Sequence, residues 1–130
     1  MLLPDTSVWV AYLRPGSDEL TNELTSALQR RQVLACGPVV AELAARARPG
    51  DRSALLTSLA GLPWADLDRN AWLSVGLLAA ELRDRDQVLP LTDLQIAVAA
   101  HTHRAALWTA DHHFERLAPL LNGLDLRLIS

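Results

Sequence analysis

The chain has 130 residues, 50% of them hydrophobic, and a formal net charge of -3, enough for one domain with one core and too acidic for a basic coat on nucleic acid. All 12 basic residues are Arg, which excludes a P-loop, a Schiff-base lysine and the phosphate-binding lysine of receiver and haloacid-dehalogenase-like domains. No apolar run approaches the roughly 20 residues of a membrane span, Met1-Leu2-Leu3 shows no leader pattern, and the single cysteine, Cys36, has no internal partner, so a cytoplasmic chain is expected.

Leu2-Leu3-Pro4-Asp5 reads as a short strand ending at Asp5, with Pro4 unable to donate to a ladder. Residues 6–13 then turn helical, capped by Asp5 or Thr6, before Pro15-Gly16 breaks the chain. A second helix is expected over about 17–31, starting at Ser17, with Leu20, Leu24, Ala27 and Leu28 as its buried stripe. Residues 33–36 read as a strand, and Gly37-Pro38 opens a helix with proline in its first turn. Glu42 lies among Val39, Val40, Leu43 and Ala44, either at the border of their stripe or aimed at whatever the strand ends enclose. After Pro49-Gly50, Asp51 is expected to cap a helix over 51–62. Residues 63–67 read as an edge strand, and Asp68 caps a long helix to about Asp84 in which Trp72, Val75, Leu78, Ala79 and Leu82 recur at helical steps.

Asp93 precedes Leu94, Ile96, Ala97, Val98 and Ala100 at helical spacing, so it starts a helix that His103 or Arg104 closes. Residues 105–109 form a short buried strand, and Asp111 sits just past its carboxyl end, the edge where open α/β sheets bind ligands. Residues 112–121 read as a helix stopped by Asn122-Gly123, and 126–129 as a last strand. The alternation predicts an α/β fold, a single domain over residues 1–130 with a central parallel sheet of about five strands, flanking helices and right-handed crossovers.

Asp5 and Asp111 thus end strands, while Glu42 and Asp93 lie near helix starts beside the same sheet edge, so all four should approach one pocket. Each has a plainer reading: Asp5, Asp93 and Asp111 as helix caps, Glu42 as a solvated residue. Capping, however, does not require the acids to meet. Gathered carboxylates repel one another unless a cation sits among them. Oxygen donors without His or Cys at ligand spacing favour Mg2+ or Mn2+, ions that activate a water and stabilise charge on a phosphodiester.

Four segments, Asp5-Thr6-Ser7-Val8-Trp9, Val39-Val40-Ala41-Glu42-Leu43, Thr92-Asp93-Leu94-Gln95-Ile96-Ala97 and Thr109-Ala110-Asp111-His112-His113-Phe114, make the whole chain resemble the PIN-domain nucleases and, within them, the VapC toxins of bacterial toxin-antitoxin pairs. Pro4 stands where that family usually has an aliphatic residue. The resemblance implies that Asp5, Glu42, Asp93 and Asp111 form a catalytic quartet holding Mg2+ (or Mn2+), with Thr6 and Thr109 as hydroxyls that orient it. It implies endoribonuclease activity on RNA, transfer or ribosomal RNA included, restrained by a cognate VapB-type antitoxin. A homodimer is implied too, and Val8, Trp9, Tyr12, Leu13, Trp72, Val75 and Leu82 offer apolar surface that a small monomer would struggle to hide.

Arg14, Arg46, Arg48, Arg83, Arg85 and Arg104 are candidate phosphate contacts. His112 and His113 adjoin Asp111 and are candidate substrate contacts, whereas His101 and His103, two apart, share no helix face and read as surface. Trp9, Trp64, Trp72 and Trp108 read as core or dimer contacts. Two rival readings are a catalytically silent PIN-like domain that binds RNA or protein, and a receiver or dehalogenase-type domain. The second is disfavoured by the missing Lys and by Ser7 where an acid would stand.

Overall fold

Leu2–Pro4 (β1), Ala106–Thr109 (β2) and Leu126–Leu128 (β3) pair in parallel in that order, with Leu3 opposite Leu107 and Leu107 opposite Leu126. The computed structural model describes residues 1–14, 16 and 18–129. The expected chain break at Pro15 and helix start at Ser17 lie outside the described residues. All four residues of β2 are buried, as a strand covered by helices on both faces must be.

Among the described residues six α-helices surround the sheet: α1 (Thr6–Leu13), α2 (Asp18–Gln29), α3 (Gly37–Arg46), α4 (Pro49–Ala60), α5 (Arg69–Asp84) and α6 (Leu91–Thr102). Helix α1 meets α2 and α3, α3 meets α4 and α6, and α5 packs on α6. Ile96 to Ala100 are buried without interruption, so α6 is a central helix enclosed on all sides.

Among the described residues the sheet has three strands, not about five, and two prolines explain the difference. The stretch around Val33 makes one parallel bridge to Leu2, and Trp64 makes one to Ala35. The Leu2 N–H donates to the Gln32 carbonyl at 2.7 Å and the Leu34 N–H to the Leu2 carbonyl at 2.8 Å. The next donor on that edge of β1 would be Pro4, which has no N–H. In the same way the Ala35 N–H reaches the Pro63 carbonyl at 2.9 Å and the Ala65 N–H the Ala35 carbonyl at 2.7 Å. One step back the ladder would need an N–H from Pro63, and one step on it meets Gly37, where α3 begins. The extended segments therefore run side by side in the order Trp64, Ala35, β1, β2, β3, with single bridges holding the outer two.

Other boundaries also shift. Helix α4 starts at Pro49, in the first-turn position that suits its fixed φ, and Asp51 lies inside the helix and does not cap it. Residues after Asp111 form a 3-10 helix, His112–Leu117, in place of an α-helix to residue 121. Asp68 caps α5 as expected, accepting from the Ala71 N–H at 2.8 Å.

Val8, Trp9, Val75 and Leu82 are core residues, each 5% exposed or less. Outward apolar residues include Leu13, Val88, Leu91 and three on α5, Trp72, Leu73 and Leu77, which are 51%, 62% and 72% exposed. Trp108 is core, while Trp64 stays partly exposed and donates its indole N–H to the Leu59 carbonyl at 3.1 Å. Among the described residues no helix is long and apolar enough to cross a membrane.

Candidate active site

Asp5 follows β1 and caps α1, and the main chain fixes it there: its N–H donates to the Trp108 carbonyl at 2.9 Å. Its Oδ1 accepts from the Val8 N–H at 3.2 Å and from the Ser7 hydroxyl, and its Oδ2 accepts from the Thr109 hydroxyl. Those hydroxyls are held in turn by amides just past β2. The Ala110 N–H donates to Ser7 Oγ at 3.0 Å and the Asp111 N–H to Thr109 Oγ1 at 2.9 Å. Asp5 is only 5% exposed. Burial raises its pKa above the ordinary carboxylate value, and the bonds from Ser7, Thr109 and the backbone pull part of the way back.

Glu42 projects from the second turn of α3 and accepts from the Thr6 hydroxyl at 2.7 Å. Asp93, the third residue of α6, caps nothing, because Pro90 holds the cap position. Its Oδ2 lies 2.7 Å from His113 Nε2. Burial raises the Asp93 pKa, the His113 contact lowers it, and the negative charges of Asp111 and Glu42 raise it again. Asp111 caps the 3-10 helix, accepting from the His113 N–H at 3.1 Å, and its Oδ1 also lies 2.8 Å from His113 Nδ1. Capping and convergence are thus no alternatives here, since Asp5 and Asp111 do both.

Asp5, Glu42, Asp93 and Asp111 line one cleft of about 380 Å³, together with Thr6, Ser7, Arg14 and Arg46. Thr109 lies buried beneath, bonded to Asp5. Arg14 and Arg46 are exposed at the rim. His112 is not part of this lining; it is exposed and faces Glu115 at 3.7 Å. Arg85 pairs with Glu81 at 3.7 Å, and Arg104 lines a separate cavity with His101.

Ser7 is not singled out from sequence as a site residue, and His113 reads there as a candidate substrate contact and not as a partner of the acids. An Asp whose side chain accepts from the amide two residues on makes an Asx-turn, and Asp111-His112-His113 carries that signal. Reading residues 112–121 as an α-helix hid it, because the tighter local turn is what brings the His113 ring back over Asp111.

The donor chemistry fits Mg2+ or Mn2+: four carboxylates share one cleft, and oxygen-only sets suit these hard ions. The raised pKa values of Asp5 and Asp93 mark an electrostatic penalty that a cation would relieve. Among the described residues no three acids, histidines or cysteines already stand as a metal-holding group, so the acids would have to draw inward around an ion. Buried Cys36 plays no such part, since burial pushes its thiol up to about 11 and keeps it neutral.

The PIN domain family matches residues 2–120. Among solved structures, VapBC2 from Rickettsia felis, bound to a DNA fragment from their promoter, is 21% identical over 99% of this chain and 98% of that one, with a TM-score of 0.79. DNA-bound VapBC from Salmonella typhimurium is 19% identical over 98% of each chain, TM-score 0.78. VapBC-5 from Mycobacterium tuberculosis, a member of the VapBC family of toxin-antitoxin systems, is 22% identical over 98% of each chain, TM-score 0.69. At these identities the likeness is one of fold. No protein of curated function matches the sequence. The family match runs from β1 through the 3-10 helix and so takes in all four acids: the chain belongs to the PIN domain family.

Proposed function

We propose that this chain is a Mg2+- or Mn2+-dependent endoribonuclease of the VapC kind, the toxin of a toxin-antitoxin pair, with Asp5, Glu42, Asp93 and Asp111 as its cation-holding residues. The observation that carries this reading is the meeting of four acids from four separate segments in one cleft, with Arg14 and Arg46 at its rim. When bound, the divalent ion supplies positive charge against the charge that builds on the phosphodiester and makes an attacking water more acidic. The chain's own part is to hold the acids: Ser7 and Thr109 fix both oxygens of Asp5, and Thr6 fixes Glu42. The two guanidinium groups would meet substrate phosphates. Choice among RNAs, transfer or ribosomal, would rest on groove shape.

The proposed partner is a VapB-type antitoxin. A second groove of about 980 Å³, lined by Trp9, Tyr12, Leu13, Leu43, Leu55 and Leu59, shares Val10, Arg14 and Arg46 with the acidic cleft. An amphipathic helix laid along that groove reaches the acids, where an Arg could take the place of the cation. Structures of the same fold are VapBC complexes. The free chain is proposed to be a homodimer, with the exposed apolar residues of α5 as a contact surface.

A silent PIN-like domain that only binds RNA or protein is the second reading, favoured by the lack of a ready-made metal-holding group among the described residues. Incubating the purified chain with RNA separates the two. Cleavage is expected in Mg2+ or Mn2+ and not in EDTA, without 2′,3′-cyclic phosphate ends, because water, and not the ribose 2′-hydroxyl, attacks. Binding without cleavage in either metal would favour the silent domain, and cyclic phosphate ends would contradict the metal-site reading.

A further inference from the structure

We infer that His113 is a positioning residue of the acidic site: a single imidazole ties Asp93 on α6 to Asp111 after β2, and so sets which carboxylate oxygens face the cleft. Nε2 lies 2.7 Å from Asp93 Oδ2, and Nδ1 lies 2.8 Å from Asp111 Oδ1. Each acid gives one oxygen to the ring, and the hydrogen bonds of the described residues leave Asp93 Oδ1 and Asp111 Oδ2 untaken. The ring itself is well held. Its backbone N–H is fixed on Asp111 Oδ1 at 3.1 Å, the buried Phe114 ring lies 5.2 Å away between centroids, and the side chain is only 28% exposed. The link matters most for Asp93, which has no capping bond of its own to steady it. Groups that orient ligating side chains in this way are worth about 10- to 100-fold in metal affinity.

The inference rests on the metal site proposed above, and the test keeps the two apart. The readout is the Mn2+ dissociation constant of the purified full chain, from the electron paramagnetic resonance signal of free Mn2+, with melting in EDTA recorded for each variant. A glutamine amide nitrogen reaches the position of Nε2 and an asparagine amide nitrogen that of Nδ1. His113→Gln therefore keeps the tie to Asp93, while His113→Asn keeps only the local contact with Asp111. We expect His113→Asn to weaken Mn2+ binding about 10- to 100-fold and His113→Gln to recover most of that loss, with all three chains folded in EDTA. Equal affinity in all three chains, or equal weakening in both variants, overturns the role given to His113 and leaves the metal site standing. A wild-type chain that binds no Mn2+ overturns the metal site and this inference with it. If the asparagine variant fails to fold, the glutamine variant decides alone, since affinity reduced as far as about 10-fold contradicts the tie to Asp93.

Discussion

Asp93→Asn is expected to reduce RNA cleavage about a thousandfold, because losing a metal-holding charge forfeits several kcal/mol of transition-state stabilisation and each 1.4 kcal/mol or so is a factor of ten. The fold should survive. Asp93 caps no helix, so asparagine removes no cap, and its amide oxygen can still meet His113. The substitution also removes the charge whose desolvation raises the Asp93 pKa, so the melting temperature in EDTA should not fall. Initial rates on one RNA in Mg2+, measured beside wild type, check this. A variant retaining more than a tenth of the wild-type rate would take Asp93 out of the site.

The largest effect on stability is expected from Trp108→Ala. Trp108 is 2% exposed at the middle of the sheet, opposite Pro4 on one side and Arg127 on the other, and the Arg127 guanidinium lies 5.4 Å from its ring centroid. Removing so large a buried ring costs about 3–5 kcal/mol, a large share of the roughly 5–15 kcal/mol that holds a domain together. The site would feel it as well, because the Trp108 carbonyl accepts the Asp5 N–H and Thr109 follows directly. Urea denaturation of the purified variant measures the loss. A change below about 1 kcal/mol, the size of an ordinary surface substitution or little more, would contradict the central place given to β2.

What the sequence shows well is the part of the fold set by local chemistry. Asp5 or Thr6 after an apolar strand and Asp68 before an apolar periodic run read as caps, and Asp5 and Asp68 are. The errors come where a partner decides the outcome. Residues 33–36 and 63–67 have strand composition, but a ladder needs donors from the neighbour, and Pro4 and Pro63 withhold them. The buried stripe of α5 is Ala71, Val75, Leu78 and Leu82, so the expected Val75, Leu78 and Leu82 hold, and only Trp72 is misplaced, with Ala71 in its stead. A large aromatic residue drew the stripe toward itself, while a small alanine in fact faces the core. The bridge made by His113 was out of reach for another reason: its tie to Asp93 spans 20 positions and depends on how α6 packs beside the 3-10 helix.

The central claim is that the four carboxylates meet around a divalent cation, and thermal melting at two pH values tests it most directly. Asp5 and Asp93 have folded-state pKa values above the ordinary 3.8. Their penalty to stability is therefore absent below that pH and fully present above the raised folded-state values. A cation that binds only the folded chain adds RT ln(1 + [L]/Kd), about 2.7 kcal/mol at a hundred times Kd, and it requires ionised carboxylates. At neutral pH, millimolar Mg2+ or Mn2+ should raise the melting temperature by several degrees over monovalent salt of equal ionic strength, and the gain should disappear on acidification toward about pH 4. An equal rise in monovalent salt, or no rise with either ion at neutral pH, would contradict the claim.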